Sequence, residues 1–450
     1  MNRSPGSKGT PKGERDRFRV LHLCGALSLI AWIALSLQPS DLPRPSVLTL
    51  WLVAQGLGWV ALGTAFGSGP VRPPQSAVLA WAVAFRIVGL LSTPVLEDDP
   101  FRYLWDGRMF ALTGNPYRSP PSASYGDANL PEAFQSVLDQ VNHPELRTVY
   151  GPVSQLGFAV SHLVAPGRLW PWKLILFAAE LMTWVAWRGR LGRHGMLLMT
   201  WCPLAVAETA FNAHPEALGI GLLSWGLASR SATVSGACLA LSGGAKALGW
   251  ILAPVFLARR GIVAWSAFAA TLAAVYLPFL AQGHGTEFES LRIMATEWSF
   301  NASLVPLFGL ILGDQAARMA CQGVFLVLVA GGSYRLARRL ETGRRAAILR
   351  DRWTLQAYGA LFLLSAAVNP WYLLWLLPAA AALRSTVAFV ALAAVPLSYC
   401  TWENLGLAGS DPHGQPVWVP CLEYGSVAAA ALLFRETFPR KTESPGSPKG

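Results

Sequence analysis

Long apolar runs punctuated by clusters of arginine and lysine constrain this chain more than any other feature. Several runs approach the ~20 residues that a helix needs to cross a bilayer. Composition agrees: 53% of the 450 residues are apolar and only 14% are charged, against about a quarter charged in a soluble domain. The expected fold is an all-α polytopic membrane protein, with one integrated domain over residues 17–436 and the lipid bilayer as its first partner. The net charge of +11 reads as the surplus of Lys and Arg that cytoplasmic loops carry, and it calls for no nucleic acid. The apolar run Val20–Leu37 follows a polar, basic start. No small-residue cleavage site follows it, so it reads as a retained anchor. Residues 1–16 and 437–450, rich in Gly, Pro, Ser and Lys, read as disordered cytoplasmic tails.

The basic clusters fall at Arg15–Arg19, Arg188–Arg193, Arg259–Arg260, Arg335–Arg352 and Arg435–Lys441. If all face the cytoplasm, each stretch between them crosses an even number of times. Spans near 18–38, 46–66 and 75–94 then place residues 95–168 outside as a long loop. Its apolar piece 151–166 must be an interfacial or re-entrant helix, because a span there would turn Arg188–Arg193 outward. Spans follow near 170–187, 195–211, 214–229, 231–243, 245–258 and 261–279. A second external loop covers 280–300, a short helix 301–313, and further spans lie near 316–334, 354–368, 371–384, 385–400 and 422–435. The expected total is about 12–14 crossings, several shorter than the usual length. Glu97–Asp99, Phe211–Glu216, Trp298–Asn301 and Asn369–Tyr372 all land at outer turns, where they could line one cavity.

The stretch Glu97–Tyr117 packs Glu97, Asp98 and Asp99 against Pro100, followed by Arg102, Tyr103, Asp106 and Arg108 at the spacing of a short amphipathic helix. Adjacent carboxylates suit a general base, since repulsion and partial burial raise a pKa, or the oxygen ligands of a divalent cation. They also suit a plain acidic cap at a helix start. Glu208, Asn212, His214 and Glu216 cluster about a second outer turn. They can bind hydroxyls or phosphate, or form only a polar hairpin turn, and they lack zinc-ligand spacing. Lys246, after Gly243–Gly244, calls for an anionic partner, with a phosphate or Glu208 as candidates, or else snorkels to the interface. Arg86 poses the same question, with Glu97 a candidate partner. Asn301, Trp371 and Tyr372 suit sugar binding, although aromatic residues there also fit an interfacial belt. Tyr150-Gly-Pro152 reads as a turn and helix start. Cys24, Cys202, Cys238 and Cys321 read as small apolar residues. Cys400 and Cys421 bracket the last external loop, as a disulfide or as two unrelated thiols. No nucleotide-binding or hydrolase motif appears.

At Asp98-Asp-Pro-Phe-Arg-Tyr-Leu-Trp-Asp-Gly-Arg108 and Asn115-Pro-Tyr117 the chain resembles bacterial members of the GT-C glycosyltransferase superfamily. It is most similar to the multi-span mannosyltransferases that use polyprenyl-phosphate sugars. Tyr150-Gly-Pro152, Phe211-Asn-Ala-His214, Lys246, Trp298-Ser-Phe-Asn301 and Pro370-Trp-Tyr372 carry the resemblance onward, over residues 97–372. It implies a GT-C-like bundle in the inner membrane with its active site facing the periplasm or exterior. It also implies a polyprenyl-phosphate sugar donor and a glycan, lipid or protein acceptor. The expected reaction is an inverting displacement with Asp98, or next Asp99, as base. Arg102, Arg108, His214 and Lys246 are candidates to meet the leaving phosphate. Tyr103, Asp106, Tyr150, Glu208, Asn212, Asn301 and Trp371 are expected to bind substrate. No cofactor is required, and a divalent cation is compatible. The rival expectation is a transporter or flippase of a lipid-linked or anionic substrate, in which the intramembrane charges bind a moving cargo.

Overall fold

In the computed structural model, residues 12–39, 41–67, 75–258, 260–339, 343–409 and 411–434 are described. Among these the chain is helical throughout, and its sole β-type pairing is an isolated bridge between Phe300 and Ala367. The expected tail at 437–450 lies outside the described residues, as does most of 1–16; the first helix already begins at Lys12.

The first three helices are α1 (Lys12–Ser36), α2 (Arg44–Gly67) and α3 (Gln75–Leu91). The expected external loop follows and holds α4 (Asp99–Thr113), a 3₁₀ turn at Pro121–Ser124, α5 (Glu132–Leu138) and α6 (Pro152–Val164). Then come α7 (Trp170–Trp187), α8 (Arg193–Trp201) and the single turn α9 (Pro203–Ala205), which runs into a π-helical turn over Val206–Phe211. Next are α10 (Glu216–Ala228) and α11 (Ala232–Ala245). A 3₁₀ stretch Ala247–Leu252 leads to α12 (Ala253–Leu257), then α13 (Gly261–Leu280), α14 (Phe288–Glu297), α15 (Leu304–Leu312) and α16 (Asp314–Arg339). The last part holds α17 (Arg344–Leu364), a 3₁₀ stretch Pro370–Leu376, α18 (Leu377–Leu383), α19 (Thr386–Ala394), a 3₁₀ turn Val395–Tyr399 and α20 (Trp418–Leu433).

Among the described residues, four helices are long and apolar enough to cross a membrane: α1, α2, α13 and α16. The other apolar elements are shorter, and proline breaks several of the expected spans into pieces. Pro203 interrupts 195–211, Pro254 interrupts 245–258, and Pro396 opens the 3₁₀ turn within 385–400. A proline in a helix interior removes a hydrogen bond and clashes with the preceding turn. α17 begins at Arg344 rather than near 354, so the most basic loop is partly helical.

The bundle packs α1 on α2, α10 between α7 and α11, α11 along α13, and α4 along α6. At its centre Trp32 meets Trp51 edge-on at 5.8 Å and Phe211 at 4.8 Å, while Trp51 meets Tyr399 at 5.5 Å. Phe211 and Tyr399 thereby carry the apolar core up to the polar cluster described below. α4 and α6 approach closely because Gly107 faces Phe158. A Cβ on Gly107 would stand 2.4 Å from the Phe158 carbonyl oxygen.

One candidate pairing is corrected, and of the two alternatives for Cys400 and Cys421 the unpaired one is found. Arg86 binds Glu180 on α7, not Glu97. Its guanidinium donates at 3.0 and 2.7 Å to the two carboxylate oxygens and at 2.6 Å to the Thr200 carbonyl, all buried. Cys400 and Cys421 are both free thiols, Cys400 buried and Cys421 exposed on α20.

Candidate functional site

The sequence builds the start of α4 in a particular way. Asp98 is the N-cap residue, Asp99 opens the helix, and Pro100 occupies the first turn, where its missing N–H costs nothing. Gly114 closes the helix in the left-handed conformation (φ 71°) and donates to the Phe110 carbonyl. Asn115 then caps its own turn by accepting from the Tyr117 N–H at 2.8 Å, and the Tyr117 hydroxyl donates to the Tyr150 carbonyl at 2.9 Å. The Asn-Pro-Tyr segment is thus a strut that fixes Tyr150. Gly151, next to it, lies so near α11 that a Cβ would meet the Gly244 carbonyl oxygen at 2.2 Å.

Asp99 is where these elements converge. Its Oδ2 accepts from the Tyr150 hydroxyl at 2.8 Å and lies 3.5 Å from the Tyr103 hydroxyl and 3.7 Å from His214 Nδ1. Its Oδ1 accepts from Asn142 Nδ2 at 3.1 Å. The same amide donates to Asp98 Oδ1 at 2.7 Å. Asp98 is exposed, whereas the Asp99 side chain is 17% exposed. The free side of the pair faces out and the hydrogen-bonded side faces in.

His214 lies directly beneath, fully buried. It follows the π-helical turn and Ala213, whose backbone sits in the left-handed region (φ 61°) with its carbonyl accepting from Trp172 Nε1 at 2.8 Å. π-turns and left-handed non-glycine residues cluster at functional sites. The His214 ring stacks on Trp371 at 3.7 Å, with Nδ1 3.1 Å from the Tyr103 hydroxyl and Nε2 3.4 Å from Glu208 Oε2. Glu208 in turn accepts from the Tyr399 hydroxyl at 3.1 Å and from Asn212 Nδ2 at 3.2 Å. Asn212 Oδ1 accepts the Val95 N–H at 3.0 Å.

Lys246 stands at the junction of α11 and the 3₁₀ stretch. Its partner is Glu216, at 3.3 Å, and not Glu208. The ammonium also sits 5.1 Å from the centres of both the Tyr150 and Tyr372 rings, within cation–π range. The Lys246 side chain is 10% exposed and that of Glu216 is 0%. Both Glu216 oxygens lack a hydrogen bond among the described residues, so the contact is an ion pair of poor alignment.

Not every expected residue joins this group. Arg102 is buried and spends its donors on the carbonyls of Asn142, His143 and Leu146 at 2.8–3.0 Å, a loop clamp rather than a ligand for phosphate. Arg108 lies over the Phe134 ring at 4.7 Å. Asp106 is buried and accepts from Gln155 Nε2 at 2.9 Å. Asn301 turns to α20, donating to Glu423 at 3.0 Å and accepting from Tyr424. Asn142 and Tyr399 entered no expectation as site residues, whereas Tyr372 did, as a candidate for sugar binding. Asn142 carried no signal at all, being a single amide in a polar loop.

Electrostatics sharpen the outer part. Dehydration, then Asp99 beside it, pushes the Asp98 carboxyl up, against the Asn142 hydrogen bond. Dehydration together with Asp99, Glu208 and Asp98 pushes Glu97 well above the usual carboxylate range. Burial likewise raises Asp106, opposed by Arg102, and holds the Tyr150 phenol well above its ordinary value. The Tyr150 phenol therefore stays a neutral donor at physiological pH. Among the described residues no three His, Cys, Asp or Glu side chains are disposed to hold a metal ion. Between Asp98 and Asp99 the bridging position belongs to a nitrogen donor, which does not fit a cation shared by the two. No family model, no curated protein and no solved structure matches this chain.

Proposed function

We propose that this chain is an integral-membrane glycosyltransferase. It moves a hexose, mannose first among candidates, from a polyprenyl-phosphate carrier to a hydroxyl of a glycan, lipid or protein. The observation that carries the reading is the pairing of Asp99 and Lys246 across one tyrosine. The Tyr150 hydroxyl binds the carboxylate at 2.8 Å, and the Tyr150 ring faces the ammonium at 5.1 Å. A partly exposed base and a largely buried cation thus lie within one side chain of each other.

In this reading the acceptor hydroxyl loses its proton to the pair formed by Asp99 and Asp98 as its oxygen attacks the anomeric carbon. The bond from that carbon to the phosphate oxygen breaks on the opposite face, and the configuration inverts. A base within hydrogen-bond reach contributes roughly 10²–10⁴-fold to such a step. The leaving phosphate gains charge as the bond breaks, and Lys246, seated between the Tyr150 and Tyr372 rings, supplies the stabilisation. Glu216 holds the ammonium in place from behind. About 12–14 crossings, with the site facing the periplasm or exterior of the inner membrane, follow from the positive-inside argument. The short apolar helices, joined in hairpins, support that count.

The test is a screen of purified, reconstituted protein against polyprenyl-phosphate mannose, glucose and arabinose, each with hydroxyl acceptors. Transfer from one of them with inversion is the expected result. No transfer from any, together with uptake of a lipid-linked or anionic ligand by vesicles, would replace the enzyme with a transporter.

A further inference from the structure

We infer that Asn142 is the positioning residue of the acidic pair: one amide nitrogen, directed by a buried arginine clamp, holds both Asp98 and Asp99 in their ionised, converging form. The inference rests on reading that pair as the proton acceptor of the site.

Its geometry has three parts. The amide spends its two N–H groups on two different carboxylates, at 2.7 Å to Asp98 and 3.1 Å to Asp99. Adjacent aspartates ordinarily repel, and one of them takes up a proton. A donor shared between them lowers that repulsion without adding a charge that would compete for the incoming hydroxyl. Nor is the amide's place accidental. Arg102, one turn into the helix that Asp99 opens, donates to the carbonyls of Asn142 at 3.0 Å, His143 at 2.8 Å and Leu146 at 3.0 Å. Three carbonyls on one guanidinium fix the loop, and His143 is held in the left-handed region (φ 44°) to meet it. The His143 ring packs on Trp298 at 4.3 Å, which ties the clamped loop to the second external loop. Arg102 and Asp99 belong to the same helix turn, so the clamp and the carboxylates move as one body.

Other charged and titratable groups surround the pair. Glu97 adjoins it in sequence, and Tyr103 lies on α4. Tyr150 precedes α6, His214 and Glu216 stand at the start of α10, Lys246 follows α11, Tyr372 follows Asn369, and His413 lies on the loop before α20. None of them lies, as Asn142 does, within hydrogen-bond distance of both aspartates.

The experiment follows carboxyl protonation directly, by infrared difference titration of purified full-length protein, and needs no turnover. Asp98→Asn and Asp99→Asn assign the bands. In Asn142→Ala the protonation midpoint of the pair should rise by about one pH unit, since hydrogen bonds to a charged group carry that weight. Asn142→Asp keeps the shape but exchanges a donor for a third carboxylate, and its midpoint should rise further than that of the alanine variant. Midpoints unchanged in both variants would overturn the inference. So would an aspartate variant that titrates like wild type while the alanine variant shifts, since shape alone would then account for the effect. Because the readout is protonation, it stands or falls separately from the sugar-transfer screen.

Discussion

The Lys246–Glu216 pair allows fold and function to be separated quantitatively. The two charges lie 3.3 Å apart with side chains 10% and 0% exposed. At an effective dielectric of ~20, unit charges at that distance attract by about 5 kcal/mol. Dehydration of both ions offsets most of this, so the pair as a whole adds little net stability. Removing one partner is a different matter. Lys246→Met leaves a buried carboxylate with neither oxygen hydrogen-bonded among the described residues, and stranding a buried charge costs about 3–5 kcal/mol. Glu216→Gln strands the ammonium, with the Tyr150 and Tyr372 rings, each 5.1 Å away, as partial compensation. Its loss should be the smaller by about 1–2 kcal/mol, the weight of dehydrated cation–π contacts. The double variant Lys246→Met/Glu216→Gln carries neither charge and should recover most of the stability. Thermal unfolding in one detergent at one scan rate, followed by labelling of the buried Cys202 thiol, gives the order of the four proteins. The double variant should then fold yet fail to bind the polyprenyl-phosphate donor. If Lys246→Met melts with the wild type, the ion pair has no energetic weight and the argument collapses. If the double variant binds donor normally, the ammonium does not meet the phosphate.

Three further outcomes are expected. Asp99→Asn should lower transfer by roughly 10²–10⁴-fold, and Asp98→Asn by less, since Asp99 alone contacts Tyr150; equal turnover of Asp99→Asn and wild type in reconstituted vesicles would remove the base. Glu97 has its folded pKa raised, so the native state holds the extra proton and stability falls as pH rises from the ordinary value of about 4.3 through the raised one. Glu97→Gln should accordingly melt higher than wild type at neutral pH and together with it in acid; the opposite order would show that the Tyr399 hydroxyl, which also hydrogen-bonds Glu97 and opposes the rise, outweighs dehydration. In a Cys421→Ser background, which removes the exposed native thiol, Ala128→Cys should react with an impermeant reagent added outside intact cells. Reaction only after permeabilisation would invert the proposed topology.

The helical class and the acid-rich helix start were legible because both depend on local pattern. Pro100 after two aspartates, and apolar residues at helical spacing, dictate α4 almost residue for residue, and α7 runs from Trp170 to Trp187 as expected. Pairings between distant segments were not legible. Arg86 finds Glu180 rather than the nearer Glu97, and Lys246 finds Glu216 rather than Glu208, because bundle packing, not sequence separation, sets which turns meet. Arg102 illustrates the same gap. Its charge next to two aspartates suggested a ligand for phosphate, yet a loop of bare carbonyls some forty residues away claims all its contacts. Broken helices escaped for another reason. Hydropathy sums over 195–211 or 385–400 and does not register the proline that divides them.

Tyr150 sets a length. Its hydroxyl is fixed to one carboxylate and its ring face to one ammonium, and covalent bonds make the offset between those two points invariant. The Tyr117 strut and the tight Gly151 contact pin the backbone that carries it. On the proposed reading, this rigid phenol is a ruler between the carboxylate that takes the proton and the ammonium that meets the phosphate. Shifts of the surrounding helices displace both ends together. If that reading holds, an acceptor hydroxyl and a donor phosphate must match this fixed gauge to engage both ends.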